Sequence, residues 1–322
     1  MSDLEFRKID GTDYENELIA LFNSVFGRHA TQDTWEYKHH KNTFQPSGIF
    51  GAFDGNKLVG MNAFMPMQYT DGSRIYNVVQ SCESAVNPEY RRRGIFSGII
   101  LTAEKYYAAR GFDYFIGFPN PENSYGGFLK LGWINEGNVT RLSKLLNPAR
   151  AVMHMVTGAK QIAELVESET FRSVTAQQIL DTPKTLGCVR PYLTTEYSRW
   201  KLERSGYRAV GYYVDECLRG AVYFRGEIKK KMTVLDIAGV YPLDKTISVE
   251  QLCHKFVQAQ SKQYDIALIW ISAIHRQSLL DMGFNVLKSK ELPFIVKRIN
   301  ELAPTLKWDP MYMESDGSIN ID

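Results

Sequence analysis

The stretch from Ser84 to Phe118 constrains the fold most. A β-rich run ends near Val86, and Pro88, which has no backbone N–H to donate, stops its pairing. Arg91-Arg92-Arg93-Gly94 follows, and then Ile95, Ile99, Ala103 and Tyr106 fall on one stripe, which predicts a helix over 94–109. Phe112–Phe118 is a short apolar run with the length of a strand. Strand, helix and strand in this order make a βαβ unit, whose strands are parallel and whose crossover is right-handed. Such a unit requires a sheet covered by helices, so the chain belongs to the α/β (α+β mixed) class.

The residues before it fit that frame. Leu18, Leu21, Phe22, Val25 and Phe26 predict an amphipathic helix over 14–27, closed by Gly27. A second short helix is expected over 31–40. Gly48–Phe53 and Lys57–Met65 read as strands joined by a turn at Asp54-Gly55. Asp71-Gly72 precedes a long β-rich run over 73–86. Ser124–Leu131 reads as a helix stopped by Gly132.

The second half repeats the landmarks in order. Trp35 and Leu58-Val59-Gly60 correspond to Trp200 and Leu218-Arg219-Gly220, with turns at Asp54-Gly55 and Asp215-Glu216. Ser84–Pro88 corresponds to Ala238–Pro242, and the 94–109 helix to one over 248–260. Phe112-Asp113-Tyr114 corresponds to Tyr264-Asp265-Ile266, and Phe128–Trp133 to Leu279–Phe284. The expected organisation is a first domain over 1–145, a largely helical connector over 146–190, a second domain over 191–302 and a tail over 303–322. Length agrees, since 322 residues suit two domains of about 150 each.

Three adjacent arginines are by themselves usually a solvated turn. Here they stand between a strand and the first turn of a helix, where backbone N–H groups lack partners and the dipole is positive. Gly94 lets a ligand approach the backbone, and arginines pair with phosphate oxygens. The turn therefore reads as a pyrophosphate site. It has neither the P-loop spacing nor G-x-G-x-x-G, which speaks against ATP-loop and dinucleotide readings.

Val86-x-Pro88-x-Tyr90-Arg91-x-x-Gly94-Ile95 resembles the acetyl-CoA-binding motif of the GNAT N-acetyltransferases. Of the three fixed positions of that motif, Arg91 and Gly94 match, and Phe96 replaces a small residue. The resemblance implies two GNAT-like domains, each a twisted mixed β-sheet flanked by helices, the second a degenerate copy that shapes the acceptor cleft. It implies that Arg91, Arg92, Arg93, Gly94, Ile95, Phe96 and Ser97 hold the pyrophosphate of acetyl-CoA, with Ser84, Ala85 and Val86 beside the pantetheine arm. Asn120 stands where the family has an asparagine after the next strand. Phe128 takes the place of the family's tyrosine acid, and Tyr125, one turn earlier, is the candidate to replace it. The second half has Leu243–Ile247 in place of the arginine-glycine turn, so one acyl-CoA site per chain is expected.

The implied reaction is acyl transfer to a primary amine of a small molecule, with Glu83 on the strand as the base. Two other readings stay open: an aminoacyltransferase of the peptidoglycan cross-bridge type, which the intact turn disfavours, and a non-catalytic acyl-CoA-binding module. A net charge of +2 gives no support for nucleic-acid binding. The mixed-charge N-terminus and the absence of a long apolar run predict a cytoplasmic protein without a membrane partner. Cys82, Cys188, Cys217 and Cys253 are scattered, which predicts free thiols and no metal framework. His39-His40 lacks neighbours at ligand spacing and reads as structural, and Trp35 and Trp200 read as core anchors.

Overall fold

A computed structural model describes the chain except residues 1–3, 11, 163, 166, 183, 185, 288–290, 316 and 318–322. The first element is a strand that the sequence pattern does not announce, β1 (Glu5–Ile9), paired antiparallel to a partner some forty residues on. Next come α1 (Glu15–Phe26) and α2 (Gln32–His39). Gly27 closes α1 at φ 62, its N–H donating to the Asn23 carbonyl. Thr31 and Thr34 form a capping box that starts α2.

Then β2 (Gly48–Asp54), β3 (Lys57–Thr70), β4 (Ile75–Val86), α3 (Ile95–Ala108), β5 (Tyr114–Gly117), α4 (Tyr125–Lys130) and β6 (Ile134–Leu145) complete the first half. The span expected to be largely helical is mixed: α5 (Pro148–Thr157), β7 (Phe171–Ser173), α6 (Ala176–Asp181) and β8 (Arg190–Pro191). The second half continues with α7 (Thr195–Glu203), β9 (Arg208–Val214), β10 (Cys217–Lys229), β11 (Met232–Pro242), α8 (Val249–Gln260), β12 (Ile266–Ser272), α9 (Arg276–Asp281), β13 (Asn285–Val286) and β14 (Leu292–Arg298). The expected turn at Asp215-Glu216 is present, with φ 48 and 61, the positive values that a two-residue hairpin demands.

All these strands lie in one mixed sheet flanked by helices, in the order β1-β2-β3-β4-β5-β14-β6-β12-β11-β10-β9-β7, with β13 beside β6 and β8 beside β3. The central order has a consequence for the halves. The first runs β1-β2-β3-β4-β5-β14-β6 and the second β7-β9-β10-β11-β12-β6-β13, with parallel strand pairs at β4–β5 and β11–β12. The orders correspond strand for strand, and each half lends the other a strand. Neither half holds a whole sheet of its own: Leu292–Arg298 comes from the second yet pairs with β5 and β6.

One sheet face packs on α3, where Phe50, Phe64, Ile95, Ile99, Ala103, Tyr107 and Phe115 form a core. A Cβ on Gly98 would fall 2.4 Å from the Phe6 ring, so the glycine lets β1 lie against this helix. The other core runs through both halves and contains Trp35 and Trp200, 0% and 3% exposed, as expected of anchors. Their helices are tied together: Tyr37 donates its hydroxyl to the Trp200 carbonyl (2.5 Å) and Trp200 Nε1 donates to the Tyr37 carbonyl (3.0 Å). The described part of the tail docks, with Trp308 packed on Tyr69, Tyr114 and Phe294. The tail's last residues lie outside those described.

Candidate functional site

The site begins with a bulge. Pairing of β3 with β4 passes from Met61↔Ala85 to Ala63↔Cys82, so Glu83 and Ser84 together face Asn62. Glu83 takes φ 54, a left-handed backbone that a non-glycine residue adopts only when its surroundings hold it there. Asn62 supplies part of that hold. Its amide donates to the Ala63 carbonyl (2.9 Å) and Ser81 Oγ (3.1 Å), and Ser84 Oγ donates to its oxygen. No sequence spacing marks Asn62, because its role depends on register across two strands.

Beyond the bulge the sheet opens. Parallel pairing of β4 with β5 covers Val78–Ser81 against Tyr114–Gly117 and then stops. The segment Ser84-Ala85-Val86 keeps its β3 partners, and Asn87 N–H donates to the Val59 carbonyl (3.0 Å). Its opposite edge has no β5 partner. An extended ligand arm can pair with that edge as an added strand would.

The turn stands at the mouth of this opening. Asn87 Oδ1 accepts the Glu89 N–H (3.0 Å) and starts a single 3-10 turn over Pro88–Tyr90. Tyr90 is braced by its hydroxyl bond to Asp54 (3.0 Å), with Arg93 and Lys57 over its ring. Arg92 and Gly94 have φ 64 and 75, and this alternation turns successive N–H groups toward one side. Gly94 is the N-cap of α3, which has no side-chain cap, and its surroundings are open: nothing lies within 4 Å of a Cβ placed on it. The amides of Ile95, Phe96 and Ser97 meet no acceptor among the described residues. Arg91, Arg92 and Arg93 are exposed around them, with Arg91 Nε donating to the Val86 carbonyl (3.4 Å). Free donors, a positive dipole and three guanidinium groups together can hold an anion.

Phe96 does not obstruct it. The ring turns away from the loop, packs edge to face on Phe128 (4.9 Å, 84°) and fills the space beside Gly127. Phe128 is buried and also touches Trp133. Asn120 is exposed, and its side-chain oxygen accepts the Glu122 N–H (2.9 Å), which shapes the lead into α4. Tyr125 is half-buried, and its hydroxyl accepts a bond from Asn135 (2.9 Å).

The expectation that Glu83 is the base does not hold. Its side chain is 5% exposed and contacts Lys38 and His39 on α2, the latter at 2.5 Å. Burial pushes its pKa up, but His39 and Lys38 hold it down to about 2. A carboxylate so stabilised takes up a proton poorly, whereas a general base works best with a pKa near the operating pH. The bulge breaks strand alternation and directs this side chain into the ion pair. Glu83 thus secures the bulge against α2, and His39 is structural as expected.

The corresponding opening in the second half is crossed by other parts of the chain, beside a cavity of about 370 Å³ lined by Pro242, Ser248, His275 and Asp309. β11 and β12 pair over Val234–Ile237 and Ile266–Ile269 and then diverge, but the chain itself enters the gap. Arg190 donates to the Pro242 carbonyl (3.2 Å) and to Asp309 (2.8 Å), and Tyr312 stacks on Trp270. His275 bridges Glu250 (2.7 Å) and Asp309 (2.8 Å). Burial alone would lower its pKa, but the two carboxylates lift it to about 9. The start of α8 is sealed by a capping box, with Ser248 Oγ accepting the Gln251 N–H (3.2 Å) and Gln251 accepting the Ser248 N–H (3.0 Å). The donors left open on α3 are thus partly engaged on α8.

A sheet parted between two parallel strands, with an uncapped glycine-led helix at the mouth, leaves a cleft with free amide donors at one end. Residues 5–134 match the family described as acetyltransferase (GNAT) domain. Among curated proteins no sequence matches. Solved structures share the fold. A probable N-acyltransferase of Enterococcus faecalis superposes with a TM-score of 0.66 at 16% identity, covering 92% of this chain and 73% of that one. A GCN5-related N-acetyltransferase of Anabaena variabilis gives 0.65 at 14%, with the same coverage. Saccharomyces cerevisiae N-myristoyltransferase with bound myristoyl-CoA gives 0.54 at 10%, covering 92% of this chain and 83% of that one. At these identities the likeness is one of fold.

Proposed function

We propose that the protein is an acyl-CoA-dependent N-acyltransferase with one active site, in the β4–β5 opening, that moves an acetyl or related acyl group to a primary amine of a small molecule. The observation that carries this reading is the open edge of β4 leading to unengaged amides at the start of α3. The pyrophosphate rests on the amides of Ile95–Ser97 beneath Arg91, Arg92 and Arg93, and the pantetheine arm pairs with Ser84–Val86. This brings the thioester toward the bulge. The amine nitrogen attacks the thioester carbonyl, the C–N bond forms and the C–S bond breaks. The amine sheds a proton, and the leaving thiolate takes one, for which Tyr125 is the proposed donor. Holding both reactants in one cleft supplies much of the acceleration. The second half is read as a degenerate copy whose own cleft is crossed by Arg190 and Tyr312 and which borders the acceptor side of the first.

The test is acyl-CoA binding by thermal shift, followed by CoA release with a panel of small amines. Binding with release on some amine supports the reading. No binding, together with Arg91→Ala and Gly94→Asp behaving as the wild type, overturns it. A second reading, an acyl-CoA-binding module without turnover, is favoured by Phe128, which has no hydroxyl, and by the ion pair that engages Glu83. It predicts binding with no release on any amine.

A further inference from the structure

Helix α5 presents its apolar side to solvent. Its inward stripe is polar: Arg150 Nε donates to Asp265 (2.6 Å) and His154 Nδ1 lies 2.7 Å from the other oxygen of the same carboxylate. Ala151 is the buried residue between them. The outward stripe is Val152, Met153, Met155 and Val156, exposed at 59%, 51%, 52% and 78%. Residues 152 and 156 stand one above the other at helical spacing, with the methionines on either side. In the sheet-covering helices α3 and α8 the apolar stripe is buried, so α5 inverts the usual arrangement.

Exposed lysines border this face. The segment leaving α5 is fastened to the β10–β11 turn by Ala159 N–H donating to the Lys231 carbonyl (2.8 Å). That turn carries Lys229, Lys230 and Lys231, all exposed, and of these Lys229 lies 3.4 Å from Glu227. Lys160 is exposed on the fastened segment itself. Near the start of the helix, Arg150 Nη1 donates to the Lys262 carbonyl (2.5 Å), which brings a further exposed lysine alongside.

We propose that α5 and the Lys229–Lys231 turn dock on an anionic lipid surface, the valines and methionines entering the interfacial layer and the lysines meeting the headgroups. Charge complementarity favours this occupant: an apolar helix stripe with lysines around it is the pattern of interfacial helices, and basic residues near an anionic leaflet add attraction that falls off within a Debye length. Size argues against a second copy of the chain. A helix of ten residues is about 15 Å long and about 10 Å wide. Its footprint of roughly 150 Å² is far below the roughly 800 Å² per partner of a stable interface. Among the described residues no helix is long and apolar enough to cross a membrane. The helix packs on β11 of the second half, away from the β4–β5 opening.

The test is co-sedimentation of the full chain with vesicles of phosphatidylcholine alone or mixed with phosphatidylglycerol. The protein is expected to pellet with the mixed vesicles only, and to be released as salt rises from about 0.1 to about 0.5 M. The double substitution V152E/V156E is expected to lower the bound fraction at least about tenfold, as insertion requires. K230E/K231E is expected to weaken binding and flatten its salt dependence. The milder V156S is expected to act in the same direction, and all three variants should keep the circular dichroism and the acyl-CoA thermal shift of the wild type. Failure of the wild type to pellet with mixed vesicles overturns the proposal, as does binding that none of these variants alters. A solution dimer that V152E/V156E dissolves, without any vesicle binding, assigns the face to a second copy instead.

Discussion

Phe96 and Phe128 meet edge to face with ring centroids 4.9 Å apart. They are the two positions at which this chain departs from the motif it otherwise matches, and they are each other's partners. A bulky side chain at 96 is accommodated because the ring leaves the phosphate turn and packs between α3 and α4, where a phenyl group rather than a phenol receives it. The two departures therefore read as one coupled change in packing.

From this pair, Phe96→Ala is expected to destabilise the fold by about 2–4 kcal/mol, because a half-buried aromatic contact is lost. Affinity for acyl-CoA should change less than threefold, since the backbone donors remain. Urea melts and isothermal titration check the two parts. Phe128→Tyr is expected to cost about 1–3 kcal/mol, because the new hydroxyl sits in an apolar pocket, and to give no gain in CoA release.

Gly94 is the residue on which the anion site depends most. At φ 75 an alanine is strained by about 1–2 kcal/mol, yet there is open space around it. Gly94→Ala should therefore fold with a lowered Tm and bind acyl-CoA about tenfold more weakly, as a Cβ meets the ligand. Gly94→Asp should abolish binding by adding a negative charge at the pyrophosphate position. Thermal shift with and without acyl-CoA separates the strain from the binding loss.

Glu83→Gln removes the anion from a buried contact with Lys38 and His39. The expected cost is about 3–5 kcal/mol, because the buried Lys38 charge loses its partner. The same contact sets an acid limit. Its folded pKa of about 2 lies below the ordinary carboxylate value, so the stabilisation is present above about pH 4.5 and is lost as pH falls toward 2. Urea midpoints between pH 3 and pH 6, roughly the window in which carboxylates titrate, should fall more steeply in the wild type than in the variant.

His275 sets an alkaline limit. Its folded pKa of about 9 lies above the ordinary 6.5, so its contribution is complete below about pH 6.5 and is lost as pH rises through 9. The Tm should decline across that range in the wild type and be flatter in His275→Gln, which is expected to be less stable at neutral pH. A Tm that is independent of pH over this window in the wild type would sink the assignment of the Glu250–His275–Asp309 bridge as a stabilising contact.

Much of the first half was legible because its signals are local. The α1 stripe, the glycine at its end, the β2–β3 hairpin and the strand-turn-helix around Gly94 each depend on residues within a few positions of one another. β1 was not legible, since five residues hold as a strand only through a partner strand far along the chain. The connector was misread as largely helical because β7 and β8 are too short for alternation to show. Glu83 was misassigned because strand alternation places it beside the cleft, and the bulge that redirects it comes from the register against Asn62.

Ser84 to Ser97 by itself determined that free helix-end donors and three arginines gather where a strand gives way to a helix, because glycine conformation, helix-end donors and arginine charge are properties of neighbouring residues. The tertiary structure alone decided that β6 and β14 are exchanged between the halves, since either order satisfies the same strand patterns locally. It also decided that the second opening is crossed by the chain's own side chains. Arg190, Asp309 and Tyr312 reach the second from distant parts of the chain, and side chains so far apart in sequence meet only once both halves have packed.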